Sequence, residues 1–256
     1  MPRNNIFITG ATGGFGQAVA RHFSAKGYFV GLTDLDEDKL RALAEELGGA
    51  SKAYYHVLDV RDVEAARAAV AGFAKASGSG LQVLFNNAGT SAVGGFEDVD
   101  IERQRLVLDV NLFGVFNVTH AALPLMRETS GAHIITVSSA SAIHGNPELV
   151  AYAATKRAIL SFSESLDISL RGSGVAVSDL LPMYAKTAIV TDVAHLHRKT
   201  PEIKLTPEDI AREVEDIIRT KRFRSYVGRD TKVFARLAKV LPYRVVKYVT
   251  RRVIGW

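Results

Sequence analysis

The apolar run Ile6-Phe7-Ile8 leads without a break into Thr9-Gly10-Ala11-Thr12-Gly13-Gly14-Phe15-Gly16, and helical spacing follows at once. A strand that empties through a glycine-rich turn into a helix is the opening half of a βαβ unit, so it constrains the fold strongly. The rest of the chain repeats that rhythm. Runs rich in β-formers at 4–9, 28–34, 52–58, 81–86, 132–138 and 174–181 alternate with helical periodicity around 14–26, 36–47, 62–77, 100–128 and 151–171. Such alternation belongs to a parallel sheet covered on both faces. Thr206-Pro207-Glu208-Asp209 then reads as an N-cap and helix start, with a helix to about 220 and a last strand near 223–227. With 256 residues and 47% apolar composition the chain can bury a large core. We therefore expect an α/β, single-domain Rossmann fold: a doubly wound parallel sheet of about seven strands, with a body over 1–228 and an appended segment over 229–256.

The formal net charge of +5 conceals an asymmetry: residues 219–256 hold twelve Lys or Arg against one acid, Asp230, so that stretch carries +11 and everything before it −6. The body is thus ordinary and acidic, and the question of charged partners concerns the C-terminal segment. The absence of cysteine excludes a disulfide, a thiolate nucleophile or a Cys-based metal site and fits a reducing compartment. With the glycine loop starting at Gly10 we expect no signal peptide ahead of it, and no uninterrupted apolar run approaches bilayer-spanning length. The expectation is a cytoplasmic protein, with peripheral membrane association left open by the basic segment.

Gly10, Gly14 and Gly16, with Gly13 and Phe15 between them, follow a GxxxGxG spacing. Glycines let backbone approach a pyrophosphate, and the helix N-terminus beyond offers unpaired N–H groups and a positive dipole end. A tight strand-to-helix turn would need glycine as well, and Asp34 tips the balance. It ends the second expected strand, eighteen residues after Gly16, where a carboxylate can accept hydrogen bonds from a ribose diol and repel a 2′-phosphate. No Lys or Arg lies within the loop or immediately after Asp34. The expected cofactor is NAD(H) rather than NADP(H).

Tyr152 precedes Lys156 by four residues, and Ser139 lies thirteen residues before Tyr152. A phenol with a pKa near 10 is a poor base at neutral pH. Residues four apart on a helix share a face, which sets the Lys156 ammonium beside the ring of Tyr152. At about 4 Å and an effective dielectric near 20, one positive charge stabilises a phenolate by roughly 4 kcal/mol before desolvation. Tyr152 can then exchange a proton with an alcohol or ketone, while the Ser139 hydroxyl at the end of the fifth strand holds the substrate oxygen. Ser138 is the rival hydroxyl.

These residues, in this order, resemble the short-chain dehydrogenase/reductase family over roughly 4–228. The resemblance rests on the loop at 9–16, Asp59-Val60, Asn86-Asn87-Ala88-Gly89, Asn111, Ser139, Tyr152 and Lys156. It implies that Asp59 and Val60 contact adenine, that Asn87 lies at the cofactor ribose, and that Asn111 holds a water linking Lys156 to solvent. It also implies that Thr187 grips the nicotinamide carboxamide, that Ala188 to Leu205 form a substrate lid, and that helices 100–128 and 151–171 pair in a homodimer or homotetramer. One departure is Met183, which stands where the family has glycine.

The apolar lid residues Ile189, Val190, Val193 and Leu196 favour a bulky apolar alcohol or ketone, such as a steroid, a lipid or an aromatic compound. Alternatives are a 3-oxoacyl reductase for carrier-bound chains and a non-catalytic NAD-binding scaffold or sensor. His144, His195 and His197 lack metal-ligand spacing and read as wall or surface residues. No metal is expected. The segment 229–256 divides at Pro242 into two basic amphipathic pieces, suited to a membrane surface or a neighbouring subunit rather than to nucleic acid.

Overall fold

The computed structural model describes residues 4–182 and 205–254. Strands β1 (Asn5–Thr9), β2 (Phe29–Asp34), β3 (Ala53–Val57), β4 (Val83–Asn86), β5 (His133–Val137), β6 (Ala176–Pro182) and β7 (Arg224–Val227) form one parallel sheet in the order β3-β2-β1-β4-β5-β6-β7. The order reverses between β1 and β4, and the crevice at such a switch point is where open α/β sheets bind ligands.

Side-chain alternation along β1 divides the core. Ile6 and Ile8 pack with α1 (Gly14–Ala25), α2 (Glu37–Glu46) and α7 (Pro207–Thr220), while Phe7 turns to α3 (Val63–Ser77) and α5 (Gly114–Arg127). Every residue of β1 is buried, as a strand covered on both faces requires. The two helical layers are thus fixed by the period-two pattern of one short strand. The helices of the described residues also include α4 (Ile101–Leu108), α6 (Val150–Ser169), α8 (Arg229–Val240) and α9 (Tyr243–Ile254).

Several helix starts are fixed by side chains. Asp36 caps α2 through Lys39 N, Asp62 caps α3 through Glu64 N and Ala65 N, and Asp100 caps α4 through Glu102 N. Thr206 and Asp209 form a reciprocal capping box on α7. The run expected as one helix over 100–128 is instead α4 and α5 joined by a single π-turn, Asp109–Phe113, in which Gly114 N–H reaches Asp109 O. Ile101–Arg127 is long and apolar enough to cross a bilayer by length and composition. It nonetheless buries Val107, Asn111, Val118, Ala122 and Met126 in this fold, so it serves as a core helix.

Candidate active site

The loop after β1 is shaped by close backbone approach. Gly10 has φ +66°, and a Cβ there would lie 2.8 Å from Ala88 Cα. At Gly16 a Cβ would sit 2.3 Å from the Gly10 carbonyl oxygen, so α1 can cross the loop this closely only through glycine. Gly13 differs: its nearest neighbour would be Gly10 O at 3.4 Å, an acceptable contact, so packing does not demand glycine there. Gly13 is also the N-cap of α1 and supplies no side-chain cap, in contrast to the capped starts of α2, α3, α4 and α7. The start of α1 thus presents backbone N–H groups toward a cavity of about 640 Å³ lined by Gly10, Gly13, Gly14 and Phe15.

Asn87 braces the loop. Its Nδ2 donates to Thr9 O (3.0 Å) and Gly10 O (2.9 Å), while Thr9 Oγ1 accepts from Asn87 N and Ala88 N, both at 3.0 Å. Asp34 lies at the far edge of the same cavity. Its Oδ2 accepts from Thr12 N (2.9 Å) and Thr12 Oγ1 (2.6 Å), and its Oδ1 from Leu35 N (2.8 Å). Four lone-pair sites less these three bonds leave one acceptor direction, on Oδ1. Asp59 and Val60 line the cavity, with the Asp59 carboxylate held by Arg61 Nε at 2.9 and 3.0 Å. That guanidinium keeps the Asp59 carboxyl below its ordinary pKa.

On the other side of the cavity stand Ser139, Tyr152 and Lys156. Lys156 is buried, its Nζ donates to Val137 O at 2.8 Å, and it lies 5.5 Å from the Tyr152 ring centroid. Burial lowers its pKa to about 8, so the ammonium is still charged at neutral pH. The two candidate serines separate clearly. Ser138 is buried and its hydroxyl donates to Lys156 O at 2.8 Å, tying β5 to α6. Ser139 stands on the cavity wall as the N-cap of a short turn, accepting from Ser141 N at 3.2 Å.

Asn111 occupies the π-turn, fully buried. Its Oδ1 accepts from Thr90 N (2.8 Å), and its Nδ2 donates to Thr90 O (2.9 Å) and Thr155 Oγ1 (3.3 Å). Both Nδ2 donors and one Oδ1 lone pair are therefore committed to shaping the wall beside Gly89. A water at this position would draw on the remaining Oδ1 lone pair or on backbone carbonyls, which a π-turn pulls out of i→i+4 register. His144 also lines the cavity, with its pKa held down by burial. Thr187, Met183, His195, His197 and the lid up to residue 204 lie outside the described residues.

Thr12 and Arg103 were not singled out by sequence. Thr12 could have been found, because the pairing Thr9↔Thr33 brings the ends of β1 and β2 together. Arg103 lines the cavity from α4, with Nη2 donating to Ser91 O (2.9 Å) and Thr90 Oγ1 (3.3 Å). Nothing local marks it off from a solvated helix arginine.

A Rossmann switch-point crevice that holds a glycine loop, a strand-end acid and a Ser-Tyr-Lys wall defines a nucleotide-dependent oxidoreductase. The family model for short chain dehydrogenases matches residues 4–197, and the chain belongs to that family. Among curated relatives, a sulfoacetaldehyde reductase of Chromohalobacter salexigens is 38% identical over 223 residues, covering 82% of this chain and 85% of the relative. The oxidoreductase UcpA of Salmonella typhimurium is 35% identical over 217 residues, covering 84% and 80%. A short chain dehydrogenase/reductase from Burkholderia phymatum in complex with NAD superposes with TM-score 0.83 at 26% identity, covering 92% of each chain. An actinorhodin polyketide ketoreductase with NADPH gives TM-score 0.80 at 26% identity, covering 88% of this chain and 95% of that one. The protein is a short-chain dehydrogenase/reductase oxidoreductase.

Proposed function

We propose that the protein is an NAD(H)-dependent oxidoreductase that interconverts a secondary alcohol and a ketone on a bulky apolar substrate, with Tyr152 as acid/base. The observation that carries this reading is the buried Lys156 ammonium 5.5 Å from the Tyr152 ring centroid, with Ser139 on the same wall. The nicotinamide, when bound, supplies the hydride acceptor or donor. The Tyr152 phenolate takes the alcohol proton, or the Tyr152 hydroxyl gives one to a ketone, and the adjacent ammonium favours the phenolate form. The Ser139 hydroxyl donates to the substrate oxygen. Asn111 keeps Thr90 and Gly89 placed so that the floor between Lys156 and the cavity stays open.

The residues present fit a dinucleotide. The uncapped start of α1 and the unforced glycine at 13 leave a cradle for a pyrophosphate, with Gly14, Phe15 and Gly16 beginning the helix. Preference for NAD is supported by the one open lone pair of Asp34, suited to a ribose hydroxyl and opposed to a phosphate. The nearby cations are already engaged, Arg61 with Asp59 and Lys39 with Asp36 at 2.8 Å. Thr187 completes the proposed cofactor contacts. Assembly as a homodimer or homotetramer through α5 and α6 is supported by Phe113, Phe116, Val150 and Ile168, apolar and exposed along the π-turn and these helices.

A second reading is favoured by Arg103 together with the names of the sulfoacetaldehyde reductase relatives: reduction of a small anionic aldehyde whose charge meets that guanidinium. Absorbance of the reduced nicotinamide decides between them. Wild type is assayed with NAD⁺ and NADP⁺ against steroid and long-chain secondary alcohols, and with NADH and NADPH against sulfonated and carboxylated aldehydes. Turnover of the apolar alcohols with NAD⁺ that survives Arg103→Ala supports the first reading. Turnover confined to anionic aldehydes and lost in Arg103→Ala overturns it.

A further inference from the structure

We propose that α8 and α9 form a docking surface for an anionic lipid bilayer, placed beside the mouth of the cavity. The proposal is independent of the substrate reading. Helix α8 turns Thr231 and Ala235 inward, at 0% and 3% exposure. That leaves Val233, Leu237 and Val240 outward at 49%, 46% and 77% exposure. These three lie at i, i+4 and i+7, one continuous apolar stripe, and the exposed Lys232 and Arg236 run alongside it. A helix whose small residues face its own core and whose branched apolar residues face outward has its larger hydrophobic surface uncovered by this chain.

Helix α9 adds charge. Arg244, Lys247, Tyr248, Arg251 and Arg252 surround an open hollow of about 350 Å³. Among the described residues none of these four cations is in an ion pair, and the Arg252 guanidinium lies 5.4 Å from the Tyr248 ring centroid. Several surface cations elsewhere are matched, as in Arg21–Glu46, Arg67–Glu64 and Arg212–Asp209. Residues 229–252 carry eight Lys or Arg against one acid. Phosphate groups would fill the hollow, and Tyr243 and Tyr248, at 77% and 59% exposure, have the amphipathic rings that settle at headgroup level.

The position matters as much as the composition. Helix α8 leaves the end of β7 on the side of the sheet where the parallel strands deliver the cavity. Its Phe234 meets His144 edge-on at 4.8 Å, and His144 lines that cavity. A bilayer under this face would lie next to the way in for substrate. A second copy joined two-fold through the same face would bring like charges together. A nucleic acid would satisfy the cations and leave the Val233–Leu237–Val240 stripe in water.

The test is flotation of the full chain with vesicles of phosphatidylcholine alone and of phosphatidylcholine with phosphatidylglycerol. Two surface variants accompany it: Arg244→Glu/Lys247→Glu/Arg251→Glu, and Val233→Ser/Leu237→Ser. Circular dichroism and turnover of a water-soluble substrate confirm that both are folded. We expect the wild type to float with the anionic vesicles only, the charge reversal to lower partition by about 100-fold or more, and the apolar variant to lower it about 10-fold. Absence of flotation at low salt overturns the proposal. So does flotation that the apolar variant leaves unchanged and a polynucleotide competes away, which marks a polyanion site. A lipid-free sedimentation mass that falls in the charge-reversed variant assigns the face to a second copy and likewise overturns it.

Discussion

His133 opens β5 at the end of the sheet away from the cavity and is fully buried. Its Nε2 meets Ser178 Oγ at 2.7 Å, Ser178 Oγ donates to Arg222 O at 2.7 Å, and Lys221 Nζ lies 3.4 Å from Nδ1. Because the Ser178 proton is spent on Arg222, the ring must carry its own proton on Nε2 and offer Nδ1 as acceptor. Burial, reinforced by the Lys221 charge, drives the His133 pKa to about 3. In the unfolded chain it returns to about 6.5. Between those values the unfolded state binds the extra proton, so stability is present in full above about pH 6.5 and falls as the solution is acidified toward pH 3. At pH 5 the separation from 6.5 is about 1.5 units, worth about 2 kcal/mol. Urea unfolding at about pH 7.5 and about pH 5 on wild type and His133→Gln isolates this share, since all other titrations cancel in the difference. The wild type should lose about 2 kcal/mol more than the variant across that interval. Equal losses would refute the neutral, buried histidine and the hydrogen-bond order built on it.

Four further outcomes follow from the site. Tyr152→Phe should lower turnover by about 100-fold or more while fluorescence titration shows NADH bound as in wild type. Lys156→Met should abolish turnover yet raise the melting temperature at neutral pH, because the charged amine is buried against a pKa lowered to about 8; a lower melting temperature would contradict that burial cost. Gly16→Ala must force its Cβ against Gly10 O and should destabilise the fold by about 1–3 kcal/mol, whereas Gly13→Ala should leave urea unfolding unchanged and weaken NADH binding. Asp34→Ala should shift the kcat/KM ratio of NAD⁺ to NADP⁺ toward NADP⁺ by about 10-fold or more, and an unmoved ratio would remove Asp34 from cofactor choice.

Much of this fold could be read from spacing. Strand limits fall within about two residues of the periodic runs, and Thr206-Asp209 is the capping box its sequence announces. The π-turn was invisible, because one extra residue inside a helix only rotates the apolar stripe, and short windows tolerate that drift. Within the site, the chemical identities stood in the sequence but their hydrogen-bond commitments did not. Asn87 and Asn111 clamp backbone, and Thr12 shares the Asp34 carboxylate, through bonds that join segments neighbouring only in space. In the C-terminal segment the amphipathic character was legible, yet which side faces the body was not. Small Thr231 and Ala235, rather than Val233, Leu237 and Val240, meet the core. The expectations for Met183, Thr187 and the lid lie outside the described residues.

The π-turn at Asp109–Phe113 marks the one stretch of this long helical run where a residue can be lost without turning its faces. Five residues in the wide turn sweep about the same angle as four in an α-helix, so removing one lets α4 and α5 close into a regular helix with their register kept. Val107 and Val118 would stay buried, whereas a deletion in the regular helix on either side would rotate one half by about 100°. What the shortened turn would lose is the placement of Asn111, whose amide holds Thr90 beside the cavity. A deletion scan across 105–120 should therefore find folding most tolerant at Asp109–Phe113 and turnover lost there all the same.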